Sequence, residues 1–309
     1  MARPALSAER ALRVLNLLAA HPDESFSLSE LTRRLGVNVA SMHAILAVLE
    51  AGEYLARTDD KRYRLGPMLV PLGRSALHTN AAVSAAGAAV GTWAERLGVT
   101  GLVVRANAGD LVIVDEVSPH AGGTPGIGQR IPMLPPIGGV FLAWADDATV
   151  DRWIATAPRA VLDAEADVRR WLASVRERGY AIGLWTSARH GLRRAVRDLG
   201  RTPGSKAARG RLRANVANLG DIATVVIELD ARSTYEVAHI AAPIVTPSGA
   251  CTMSLYLMGF REPLTRRDIE EIGGGLQAAA RRISGAGADD AGEPLPAADG
   301  GAAAIEGIW

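Results

Sequence analysis

The sequence predicts an α+β protein of about two domains. Three observations support this. Residues up to about 66 alternate short, capped helical patterns with a hairpin. An Ala-rich helical stretch follows. From about Val99 onward, apolar β-rich runs dominate, with helices between them. Hydrophobic residues make up 48% of the 309 and charged residues 22%, which excludes a wholly disordered chain. The formal net charge is only +1, so any surface for nucleic acid must be local. The single cysteine, Cys251, excludes a disulfide framework and any multi-cysteine metal site, and fits a reducing, cytoplasmic setting. No charge-free run reaches the about 18 apolar residues that a membrane span needs, and Met1 to Arg10 lack the apolar core of a secretory signal. No membrane association is expected.

The elements follow in order. Leu12, Leu15, Leu18 and Ala19 recur at helical spacing after Ser7, a candidate cap, and Pro22 stops that helix. Ser27-Leu28-Ser29-Glu30 matches the capping box, with Leu28, Leu31 and Leu35 as the apolar stripe of a short second helix. Gly36 ends it in a turn that glycine adopts without a Cβ clash. Asn38 caps a third helix over Val39 to Ala51, whose Met42, Ile45, Leu46 and Leu49 make a buried face. Tyr54 to Arg57 and Arg62 to Leu65 alternate around Thr58-Asp59-Asp60-Lys61 and read as a hairpin.

Pro67 to Leu97 reads as helical, with a break near Thr79-Asn80. Gly101 to Ala106 and Leu111 to Val117 flank a turn and form a second hairpin. A Gly/Pro-rich loop over Pro119 to Gly128 follows, and Ile137 to Trp144 reads as a helix started by Pro135 and Pro136. Asp163 is placed to cap a helix carrying Trp171, Leu172 and Val175, closed by Gly179. Tyr180 to Trp185, Ala223 to Leu229, Val237 to Val245 and Ala250 to Met258 read as strands, and Thr265 starts a final helix ending near Ile283. Between Arg189 and Arg213 lie nine basic residues and one acid, Asp198, around Pro203-Gly204-Ser205. Residues 285–309 have a composition that predicts disorder.

Two short helices joined at a Gly turn and followed by a β-hairpin make a winged helix-turn-helix. A helix about 20 Å long can place one face in the major groove while its neighbour braces it on the backbone. The groove-facing candidates are Asn38, Ala40, Ser41, His43, Ala44 and Ala47, with Arg62 and Arg64 on one face of the wing. Ser27, Asn38, Ser41, His43, Arg57, Arg62 and Arg64 are the DNA-contact candidates. The other reading of this segment is a small helical domain for protein contact. Residues 1–80 hold ten cations against eight acids, a modest surplus for a DNA binder.

Leu28-Ser29-Glu30-Leu31-Thr32-Arg33-Arg34-Leu35-Gly36-Val37, then Leu46-Ala47-Val48-Leu49-Glu50-Ala51-Gly52, then Tyr63-Arg64-Leu65-Gly66, resembles the DNA-binding domain of the IclR family of transcriptional regulators. Arg176-Glu177-Arg178-Gly179-Tyr180-Ala181 and Ile240-Ala241-Ala242-Pro243-Ile244 resemble two signatures of that family's second domain. The resemblance implies a winged helix-turn-helix over 1–66, linker helices over 67–98 and a GAF-like effector-binding domain with a central antiparallel sheet over 99–285, followed by the tail over 286–309. It also implies a homodimer or dimer of dimers, operator DNA as partner, and a small organic effector, often a carboxylate or aromatic acid.

The match departs in two places. Val39, Ala40 and Ala44 stand where the family usually carries a basic residue, a hydroxyl and an Arg, which implies fewer phosphate contacts and a flatter salt dependence. The basic stretch within about 187–221 is an insertion. It reads as a surface elaboration, an auxiliary contact to phosphate or the acidic tail, or a lid over the effector.

The resemblance implies an effector between the sheet and the loop before the Ile137 helix. The lining candidates are Leu134, Ile137, Gly138, His239, Ser254, Tyr256 and Met258, with amides at Ile137, Gly138 and Gly139 suited to a carboxylate. His239 fits equally a core histidine, and Tyr256 and Met258 a plain core. The chain has no Gly-x-Ser-x-Gly elbow and no His-Glu-x-x-His, and Gly126-Ile127-Gly128 is no phosphate loop, so no catalytic residue, cofactor or metal is expected. Cys251 reads as a buried small hydrophobe. The rival to a gene regulator is a small-molecule sensor or protein-interaction module whose winged helix has lost DNA binding.

Overall fold

The computed structural model describes residues 5–19, 21, 24–107, 109–119, 126–157, 165–186, 191, 194–195, 198–199, 206–217 and 225–285. Pro22, Asp163, Pro203-Gly204-Ser205 and the tail from 286 lie outside the described residues, as do the side chains of Arg189, Arg193, Arg197, Arg201, Lys206, Arg209 and Arg213.

The N-terminal part is built from α1 (Leu6–Ala19), β1 (Phe26–Ser27), α2 (Leu28–Leu35), α3 (Val39–Ala51), β2 (Leu55–Arg57) and β3 (Arg62–Leu65). Ser7 lies inside α1 rather than capping it, and Leu12 faces solvent. The buried stripe is Val14, Leu17 and Leu18, spaced i, i+3 and i+4, because that stripe meets Leu31, Leu35, Met42 and Leu46 of α2 and α3. Burying each such side chain contributes about 1.5–3 kcal/mol. Ser27 caps α2, its hydroxyl accepting from Glu30 N at 3.3 Å while the Glu30 carboxylate accepts from Ser27 N at 2.7 Å. Gly36, at φ 64°, sits in the left-handed region and turns the chain, so that α2 and α3 meet at a bend of 116°. The expected hairpin forms as β2–β3, with Arg57 opposite Tyr63, and β1 adds a third strand through Phe26 opposite Tyr63. A two-residue strand is too short to announce itself by alternation.

Next come α4 (Leu69–Thr79) and α5 (Ala81–Leu97). They break at Asn80, whose side chain accepts from Val83 N at 3.2 Å and so caps α5. None of the α4 side chains is buried.

The C-terminal part holds a six-stranded antiparallel sheet ordered β6-β5-β4-β10-β9-β7. Its strands are β4 (Thr100–Asn107), β5 (Asp110–Val117), β6 (Arg130–Pro132), β7 (Ala181–Leu184), β9 (Val237–Val245) and β10 (Cys251–Met258). β8 (Thr234–Tyr235) pairs with β11 (Leu264–Thr265) outside it. Both faces of the sheet are covered, which is why β9 and β10 read as continuous apolar runs. On one face Val103, Ile240, Ala242, Ile244, Leu255 and Leu257 pack beneath α5 and the final helix α10 (Arg266–Gly285). On the other, Leu102, Val104, Ala241 and Cys251 pack with α6 (Gly139–Leu142), α7 (Asp147–Ala155) and α8 (Glu165–Arg178). Cys251 is buried there, and burial pushes its thiol well above the usual range.

Three expectations change. The Ile137–Trp144 helix shrinks to the four residues of α6, because the turn of Leu134 to Gly138 precedes it and Asp146 caps α7 soon after. Of the run Ala223–Leu229, the described residues 225–229 form no strand and contribute one bridge, Val225 to Gly183. The basic insertion contains a helix, α9 (Lys206–Ala217).

Candidate nucleic-acid interface and ligand-facing sheet

The N-terminal candidates fall into two groups. Asn38, Ser41 and His43 occupy the first turns of α3. Asn38 Oδ1 accepts from Ser41 N at 2.8 Å, which satisfies an amide the helix start would leave unpaired. Beside them the outward side of α3 is apolar: Ala40, Ala44 and Ala47 are exposed, and so are Val39 and Val48, at 59% and 73%. Arg57 and Arg64 lie exposed on the wing, with the Arg57 guanidinium 5.6 Å from the Tyr63 ring centre.

Ser27 and Arg62 are engaged inside the domain. Arg62 donates from Nη2 to Glu30 Oε2 at 2.9 Å and to the Ser25 carbonyl at 2.6 Å, and from Nε to Ser25 Oγ at 3.1 Å. Its partner Glu30 is held below the usual carboxylate range, first by the amide of Ser27, then by the Ser27 hydroxyl and the nearby Arg62 and Arg34 charges. Arg62 thus buckles β3 onto the start of α2. Alternation along β3 placed it beside Arg64, but gave no sign of a partner 32 residues upstream.

In the second domain, strand alternation brings the candidates to one face. His239 is opposite Met258, and Tyr256 is opposite Ala241 and Leu102. The His239 and Tyr256 rings lie 5.5 Å apart. Tyr256, Met258 and Ile137 pack against the same buried cluster as α6 and α8. Ser254 shares the parity but is fully buried, its hydroxyl donating to the Ala242 carbonyl at 2.8 Å.

Two of the three amides expected to be free at the helix start are engaged within the loop. Ile137 N donates to Leu134 O at 2.6 Å and Gly139 N to Pro136 O at 3.3 Å, closing turns ahead of a one-turn helix. Gly138 sits at φ 94° with Met133 packed against it, so only glycine fits without strain. Leu134 and Ile137 touch a second apolar cluster, absent from the expected lining and made of Ala195, Leu199, Ala208 and Leu212 from the insertion. Its signal is present in the sequence as apolar residues four apart, hidden among the arginines. The Arg-Glu-Arg-Gly-Tyr signature is structural, since the Arg178 guanidinium donates to the carbonyls of Val226 and Ile227 at 2.9 and 3.0 Å. Among the described residues no group of three or more His, Cys, Asp or Glu is placed to hold a metal, and no single helix is long and apolar enough to cross a membrane.

Residues 7–59 match the IclR helix-turn-helix domain. The fold is similar to that of the IclR transcriptional regulator from Alicyclobacillus acidocaldarius, at 23% identity and a TM-score of 0.66, over 92% of this chain and 99% of that one. It is similar to the Thermotoga maritima IclR, at 18% identity and a TM-score of 0.54, over 91% and 98%. It is also similar to an IclR homolog from Microbacterium hydrocarbonoxydans complexed with 4-hydroxybenzoate, at 19% identity and a TM-score of 0.59, over 90% and 98%. No curated protein matches the sequence. The capped α2–turn–α3 unit, its wing and the doubly covered sheet therefore belong to a chain that opens with an IclR helix-turn-helix domain and has the fold of the IclR transcriptional regulators.

Proposed function

We propose that this protein is a ligand-responsive transcriptional regulator. It binds operator DNA through residues 1–66, joins copies of itself through the helices of 67–98, and takes a small organic effector on the sheet of 99–285. The observation that carries the reading is the outer side of α3. It is exposed along its length beside the two exposed wing arginines, Arg57 and Arg64, in a domain of helix-turn-helix type. Asn38, Ser41 and His43 are the polar base-edge candidates. Ala40, Ala44, Ala47 and Val48 suit the methyl group of thymine, the apolar feature of the major groove. Ser27 and Arg62 serve by holding α2 and the wing in place.

Homodimerisation or a dimer of dimers is supported by α4, where Met68 at its cap and Val70, Leu72 and Leu77 are exposed. An aromatic or carboxylate effector is supported by His239 and Tyr256 on one face, and by the 4-hydroxybenzoate held by a protein of similar fold. The chain acts in the cytoplasm and carries out no catalysis on this reading. Selection of duplexes from a random-sequence pool at low salt, followed by mobility shift with the selected site, tests it. A two-fold symmetric site is expected. The absence of any selected sequence would leave the second reading, a ligand sensor whose apolar α3 face docks protein.

A further inference from the structure

The part of the insertion that the structure describes is a helical pair. Residues 191, 194–195 and 198–199 are helical, and α9 runs back beside them. Gly191 lies against Asn215, and Asp198 Oδ2 is 3.7 Å from Arg211 Nε, so the two helices are antiparallel. The pair is strongly two-sided. Ala195, Leu199, Ala208 and Leu212 are buried together, while Arg194 and Arg211 are exposed. The buried side packs on Ile131, Leu134 and Ile137. Ile137 in turn packs against the same buried cluster as Tyr256 and Met258 of the sheet. Arg194 and Arg211 therefore lie on the solvent side, and what the pair turns toward Ile131, Leu134 and Ile137 is leucine and alanine.

We propose that this helical pair is the outer wall of the effector site, and that Leu199 and Leu212 select effectors with an apolar body. The inference rests on the ligand-binding reading above. Aromatic or medium-chain aliphatic monocarboxylates fit such a wall, since their rings or chains leave water against Leu134, Ile137, Leu199 and Leu212. A short dicarboxylate does not, because its second charge would lose water against side chains that offer no hydrogen bond.

The test uses the full chain with benzoate, 4-hydroxybenzoate, phenylacetate, hexanoate and succinate as probes, read by titration calorimetry and by hydrogen exchange. At least one apolar-bodied acid is expected to bind at least about tenfold more tightly than succinate. Leu212→Ala is expected to weaken it about tenfold. Arg211→Ala, on the exposed side, is expected to leave it unchanged. Bound acid is expected to slow amide exchange in 206–217 together with 131–137. Because Leu212→Ala can also loosen the fold, exchange in the unmodified chain decides independently. Protection of 131–137 and the sheet without any change in 206–217 would overturn the wall while leaving the ligand reading intact. No binding by any probe, with no protection of the sheet, would overturn the ligand reading and the wall with it.

Discussion

Arg62 Nη2 and Glu30 Oε2 are 2.9 Å apart, and this pair fastens the hairpin β2–β3 to α2, which packs on α3. Arg62 also satisfies the Ser25 carbonyl, so the wing's position is fixed by hydrogen bonds as well as by charge. Both side chains remain about one-third exposed, at 33% and 28%, which limits the worth of the pair to about 1 kcal/mol. Arg62→Ala is expected to lower the stability of the N-terminal domain by about that amount and to weaken DNA binding. Arg57→Ala is expected to weaken binding with no change in melting temperature. Calorimetry and mobility shift on the two variants check this.

The same pair gives a pH dependence. Glu30 has its carboxyl held below the usual range in the folded state, mainly by the Ser27 amide. Its contribution is complete above the ordinary carboxylate value of about 4.3 and is lost as pH falls through the lower folded value. Denaturant titrations of the unmodified chain between about pH 5 and 3 are expected to show a fall in stability that is shallower in Glu30→Gln.

The apolar α3 face predicts an unusual DNA signature. The outer side of α3 carries no cation, so the slope of log affinity against log salt for a dimer is expected to lie well below the about 10 of a heavily basic repressor. Replacing contacted thymines by uracil, which removes only the methyl group, is expected to lower affinity about fivefold per half-site. Unchanged affinity on the uracil duplex would remove Ala40, Ala44 and Ala47 from the recognition surface.

Gly138→Ala tests the loop that carries Ile137. At φ 94° a Cβ strains the backbone and meets Met133 at 2.9 Å. A loss of about 1–2 kcal/mol is expected, with weaker effector binding, and thermal melts with and without a bound acid would show both.

Exposed leucines of α4 predict self-association. Leu72→Glu with Leu77→Glu is expected to convert dimer to monomer in light scattering and to abolish binding to a two-half-site duplex, leaving the effector affinity in place.

Much of the N-terminal architecture was legible because its signals are local. Ser27 and Glu30, Gly36, and Asn38 fix helix ends within a few residues of themselves, and the turn signal from Thr58 to Lys61 marks the hairpin. The faces of β9 and β10 were legible for the same reason, since parity along a strand decides which side chains keep company. What failed depended on distant partners. Leu12 and Val14 are equally apolar, and only the position of α2 and α3 decides that Val14 is buried and Leu12 is not. The α6 helix looked longer because nothing local in Val140 to Trp144 announces that Leu134 to Gly138 is already a turn using the amides of Ile137 and Gly139. The insertion was opaque because its arginines dominate the composition, while four small or leucine side chains decide where it packs.

Asn80 ends α4 and caps α5 with its own side chain. Along the backbone, the two helices are therefore joined through a single residue whose side chain also holds the start of the second. Bent, the joint keeps its cap, worth about 1 kcal/mol. Straightened, it would fuse both helices into a single rod and give that cap up.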